Sequence, residues 1–119
     1  MAQAKIVREE VKEEETSFSG VYIEMRNACI IFLSEGEDNL GTLAVSIPQR
    51  EGLVGPPLSS ILFGDRNIFV TRLLAERVAH EARKMTLLSV YIKTVDEKRA
   101  GPTLLRLLER VMRKEEKPE

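Results

Sequence analysis

The chain has 119 residues, with 18 Lys+Arg against 19 Asp+Glu, a net charge of −1, 43% hydrophobic residues and 31% charged ones. That is the size of one domain with enough apolar residues for a core, and its charge is not that of a general nucleic-acid coat. No apolar run reaches the roughly 20 residues of a membrane-spanning helix. Cys29 has no second cysteine to pair with, and Ile6 and Val7 run at once into charge rather than into a signal peptide, so a cytoplasmic, reducing setting is expected. One histidine, His80, cannot supply a zinc cluster, and any Ser–His or Cys–His site would have to be built on it alone. The glycines match neither GxGxxG nor the phosphate loop GxxxxGK[ST]. No catalytic, metal or cofactor residues are expected.

Charge is unevenly spread: residues 1–60 carry a net −5 and residues 61–119 a net +4. Glu9, Glu10, Glu13, Glu14 and Glu15 form an acidic run that repels itself, so residues 1–15 read as a flexible lead-in with at most a short strand at Ile6–Val7. Residues 16–114 read as a single domain and 115–119 as a disordered tail. From Phe18 the pattern is β: Val21, Ile23 and Met25 alternate with Tyr22, Glu24 and Arg26. Ala28–Leu33 is apolar at every position, Glu35–Asn39 is a turn, and Leu40–Ile47 is a third strand stopped by Pro48. Three strands with short turns predict an antiparallel meander. The stretch 49–64 is long for a connection, and Leu58–Phe63 within it predicts a further strand.

Asp65 or Asn67 is the expected cap of a helix running to about Lys84, with Ile68, Thr71, Leu74, Ala75, Val78, Ala82 and Met85 on its apolar face. Thr86–Lys93 predicts the next strand. Pro102 belongs in the first turn of a second helix that buries Leu104, Leu105, Leu108, Val111 and Met112. The fold class is therefore α+β: an antiparallel β-sheet with two amphipathic helices on one face.

Two short helices cover one sheet face, yet two strands are apolar on both. Cys29, Ile31 and Leu33 oppose Ala28, Ile30 and Phe32, and Leu88, Val90 and Ile92 oppose Leu87 and Tyr91. A solvated face would alternate cleanly with polar residues. Either the 49–64 segment folds over the second face or a partner does. The reading favoured is a dimer of stacked sheets with Ala28, Ile30, Phe32, Leu87 and Tyr91 at the interface.

From about Val21 to Lys114 the chain resembles the proteasome assembly chaperone 3/4 family. The resemblance lies in Leu43-Ala-Val45, in Pro57-Leu-Ser-Ser-Ile-Leu-Phe-Gly-Asp65, in Thr71 and Leu74-Ala-Glu-Arg-Val-Ala79 on the first helix, in Val90 and Tyr91, and in the final amphipathic helix. It implies a non-catalytic protein that binds proteasome α-type subunits during assembly and then leaves. It also implies a homodimer, or a heterodimer with a related assembly chaperone. The neighbouring chaperone pair docks through a hydrophobic–Tyr–any tail; this chain ends Lys117-Pro118-Glu119, so that mode is not expected. Arg106, Arg110 and Arg113 on the second helix, with Glu51 and Leu53 in the 49–64 segment, are the expected subunit contacts.

Two other readings stand beside this one. A dimeric scaffold of a trafficking or GTPase-regulating complex would share the fold class and the apolar face. A nucleic-acid module would use Lys98, Arg99, Arg106, Arg110, Arg113 and Lys114 on phosphates, but six aromatics, mostly core-like, make a poor stacking platform. His80 reads as a surface residue, Cys29 as an inert buried thiol, and Ser59 and Ser60 as turn or strand residues without a base.

Overall fold

The computed structural model describes residues 3–49 and 58–116. In chain order these form β1 (Lys5–Glu13), β2 (Thr16–Glu24), β3 (Ala28–Glu35), β4 (Thr42–Ile47), β5 (Leu58–Phe63), α1 (Ile68–Ala82), β6 (Met85–Tyr91) and α2 (Glu97–Glu116). The strands make one six-stranded sheet in the order β1-β2-β3-β6-β4-β5, and both helices lie on the same face of it. The α+β class and the two helices agree with expectation.

The pairing does not follow the expected meander. β2 and β3 are antiparallel neighbours, but β6 separates β3 from β4 and runs parallel to β3, so the sheet is mixed. The physical reason lies in the two runs that are apolar on both sides. Such runs suit the middle of a sheet and the parallel pairing found there. To reach β4 the chain must pass the end of β6, and Gly41 makes the crossing possible. A Cβ on Gly41 would lie 2.1 Å from the Val90 carbonyl oxygen. Its N–H donates to Ser89 Oγ at 2.8 Å, which satisfies a hydroxyl on a fully buried residue.

The acidic segment is strand rather than flexible lead-in. All nine residues of β1 pair with β2, and Val7 and Val11 turn toward α2. Alternation sends successive charges to opposite faces, and several find partners. Arg106 donates to Glu13, and Arg8 meets Asp38 at 2.7 Å. Glu14 takes the left-handed turn conformation, φ 58°, that glycine or asparagine normally supplies.

The core lies between the sheet and the helices. Phe18, Ile31, Leu33 and Leu88 meet Leu74 and Val78 of α1 and Leu104, Leu107, Leu108 and Val111 of α2. Leu107 and Leu108 are buried whereas Leu105 is half-buried. α2 approaches β2 closely at Gly20, where a Cβ would stand 3.0 Å from Leu107 Cγ. Asn67 precedes α1 with φ 58° and no side-chain cap, and the Val70 N–H is taken instead by the Glu97 carboxylate at 2.6 Å. α2 starts five residues before Pro102, because Asp96 Oδ1 accepts the Arg99 N–H at 2.8 Å and its carbonyl accepts that of Ala100 at 2.9 Å.

Candidate functional site

The face of the sheet turned away from the helices carries the feature that calls for a function. Opposed residues of neighbouring strands share a face, so the register gives its rows directly. One row is Ile6, Ile23, Ile30, Leu87 and Val45; the next is Val21, Phe32, Ser89 and Leu43. A third begins with Ala28 and Met85, with Ile47 and Leu58 paired beyond them. Ile23, Ile30, Phe32, Leu43, Val45 and Leu87 remain half-buried, and Ile47, Leu58 and Met85 are more exposed still. This is an apolar surface with residues from all six strands, and patches of such extent mark interfaces.

Ala28, Ile30, Phe32, Leu87 and Tyr91 all stand on this face and all are half-buried. Ile23, Leu43 and Val45 belong with them. Ile23 follows from its pairing with Ile30, and Leu43 and Val45 from alternation once β4 is placed beside β6, a neighbour relation that the spacing along the chain did not reveal. Among the described strand residues, charge enters only at the β1 end, where Arg8, Glu10 and Lys12 share the face.

The expected subunit contacts are not brought together on one open surface. Arg106 is drawn onto Glu13 of β1, and Arg110 Nη1 donates to the Glu10 carbonyl at 3.0 Å. Arg113 is exposed. The acidic strand therefore neutralises part of the basic helix side. Glu51 and Leu53 lie outside the described residues.

The nucleophiles and titratable groups are structurally engaged. Burial pushes the Cys29 thiol up, against the opposing pull of its contact with Thr86 Oγ1 at 3.3 Å and of the Lys84 charge. A thiol held protonated in this way is a poor nucleophile. Ser59 donates to Glu76 and accepts from Arg72 Nε at 3.0 Å. Partial burial raises Glu35, but bonds from Thr94, Lys93 and Val95 outweigh it and hold the carboxyl below its ordinary range. Asp38 is held low by the bonds from Arg8 and Ser19. Among the described residues no group of three or more His, Cys, Asp or Glu could hold a metal. No described helix is long and apolar enough to cross a membrane.

This fold is shared with a solved chain. The chain superposes on a component of the "Crystal Structure of a Novel Chaperone Complex for Yeast 20S Proteasome Assembly" with a TM-score of 0.67, covering 92% of each chain at 11% identity. At that identity the likeness is one of fold. No protein-family model and no curated protein matches the sequence.

Proposed function

We propose that this protein is a proteasome assembly chaperone. In this reading its helix-free face stacks against the sheet of a second copy or of a related chaperone chain. The pair holds proteasome α-type subunits transiently, without catalysis, and leaves before the particle is complete. The observation that carries the reading is the end-to-end match of fold to a chaperone from a proteasome-assembly complex. The apolar face supports it, because a non-catalytic binding protein needs such a surface and an isolated domain does not. Residues Ala28, Ile30, Phe32, Leu87 and Tyr91 are assigned to the pairing face, and Arg106, Arg110, Arg113, Glu51 and Leu53 to the neighbourhood of subunit contact.

The test is co-purification of the full chain with recombinant proteasome α-type subunits at low and moderate salt. The subunits should be retained at low salt and released more readily as salt rises. Light scattering on the chain without α-type subunits should give about twice the 13.5 kDa of one chain, or a mixed pair when a related chain is co-expressed. Failure to retain any α-type subunit, together with retardation of single-stranded RNA, would replace this function with nucleic-acid binding.

A further inference from the structure

The two ends of the domain treat their charges differently. At one end lie the β1–β2 turn, the loop after β3 and the starts of both helices. Many of its carboxylates are spent within the molecule: Glu35 on the Lys93 and Thr94 N–H groups, Asp38 on Arg8 and Ser19, Asp96 and Glu97 on helix N–H groups, Glu13 on Arg106. Glu15, Glu37 and Asp65 stand exposed there among Arg66, Lys93 and Lys98, so charge of both signs is mixed at that end. At the other end lie the β2–β3 turn, the start of β6 and the ends of both helices. There Arg26, Arg83 and Arg113 are exposed and have no ion pair among the described residues.

These three arginines share one end for reasons visible in the pairing. Ala28 and Met85 are direct partners, so Arg26 and Arg83 each sit two residues before the same rung. Lys84 ties the two segments together, with its Nζ 2.6 Å from Glu24 and 2.9 Å from the Met25 carbonyl oxygen. Successive turns of α2 step from Glu13 to Glu10 along β1 through Arg106 and Arg110, which brings Arg113 toward the Lys5 end, opposite Glu24. Arg77 bridges Glu81 and Glu109 at 3.2 Å each, so neither of these helix acids is free to neutralise the arginines. Met85, 43% exposed, lies beside Arg83 as an apolar neighbour.

We propose that this basic end is a docking surface for an acidic protein segment, with Arg26, Arg83 and Arg113 receiving carboxylates. Unpaired like charges gathered at one end do nothing for the fold, and they create a field that steers and orients an anionic partner. A protein segment suits the site better than a nucleic acid. None of the six aromatic side chains stands at this end: Phe18, Phe63, Phe69 and Tyr91 belong to the opposite half, Phe32 lies mid-strand opposite Val21 and Ser89, and Tyr22 is buried. Base stacking therefore has no platform. Where this locates the seat of an α-type subunit it rests on the chaperone reading, and it moves that seat from the side of α2 to the end of the domain.

The test measures binding of the full chain to three probes at low salt: a fluorescent peptide alternating glutamate and leucine, single-stranded RNA of similar charge, and recombinant α-type subunits. The triple variant Arg26→Glu/Arg83→Gln/Arg113→Gln should bind the peptide at least about tenfold more weakly than wild type, mainly through slower association. Arg26→Glu alone, placed in a turn where folding is not at stake, should give part of that loss, and Arg99→Gln at the other end should give none. Equal peptide binding by wild type and triple variant overturns the proposal, as does tighter binding of RNA than of peptide. If the peptide result holds and α-type subunits do not bind, the chaperone reading fails and the acidic docking surface stands. If the subunits bind wild type and triple variant alike, the docking surface fails and the chaperone reading stands.

Discussion

The contact between α2 and β2 can be tested by a two-residue cycle whose signs are set by the geometry. Leu107 is fully buried, and truncating such a leucine to alanine costs about 2–5 kcal/mol, the upper part applying where the surroundings cannot collapse. A Cβ placed on Gly20 would meet Leu107 Cγ, Cδ1 and Cδ2 at 3.0, 3.3 and 3.4 Å. Gly20→Ala alone must push that side chain by a few tenths of an ångström, an overpacking cost of about 1–3 kcal/mol. Restricting the unfolded chain returns about 0.4–1 kcal/mol, because Gly20 is not in the left-handed region. The net effect of Gly20→Ala in wild type should therefore be destabilising by roughly 1 kcal/mol. In the Leu107→Ala background the obstructing atoms are gone and the new methyl enters the void, so the same substitution should stabilise by roughly 0.5–1 kcal/mol. The coupling, about 1.5–2 kcal/mol, is read from urea unfolding followed by far-UV circular dichroism, with protein concentration held constant because association shifts apparent stability. Gly20→Ala with the same cost in both backgrounds would refute this account of how α2 is seated.

Two further outcomes follow from the same contacts. Val11→Asp, which puts a carboxylate into the half of the core that β1 closes, should destabilise the domain by about 3 kcal/mol or more in the same unfolding assay, whereas a flexible leader would tolerate it without change. Glu35 and Asp38 both have folded pKa values below their ordinary 4.5 and 3.8, so their contribution is present above those values and lost as pH falls through the lower folded ones; the stability gap between wild type and Glu35→Gln/Asp38→Asn should be open at pH 7 and close on acidification below about pH 4, in thermal melts across that range.

The elements were legible where period and length agreed. β2, β3, β5, α1 and β6 lie within a few residues of their expected places, since alternation and the 3.6-residue stripe survive in a single sequence. The doubly apolar runs at Ala28–Leu33 and Leu87–Ile92 also announced a second apolar face, and the five residues assigned to it share that face. Sheet order was not legible, because the insertion of β6 between β3 and β4 depends on contacts distant in sequence. Its one local trace was Gly41, the residue that must pass under the Val90 carbonyl. β1 was obscured by its glutamates, and one relief of their repulsion comes from nearly a chain length away, where Arg106 donates to Glu13. The same pairing explains why the side of α2 looked basic on paper and is partly neutral in the fold. α2 began early because Asp96 caps it, a stronger start signal than the proline that follows.

The position of β6 also sets the order in which the molecule can be completed. β1, β2 and β3 form one set of hairpins and β4 with β5 another, and in the finished sheet no main-chain ladder joins the two sets except through β6. Until residues 85–91 emerge during synthesis, each set ends in an open strand, β3 on one side and β4 on the other, and β3 is apolar throughout its first six residues. Between the completion of β5 at Phe63 and that of β6 at Tyr91 the nascent chain thus carries two half-sheets with open edges, a state prone to pairing with the wrong neighbour. The last strand to be made acts as a keystone: its insertion closes both edges and joins the halves at once, so folding of the whole sheet waits on the final third of the chain.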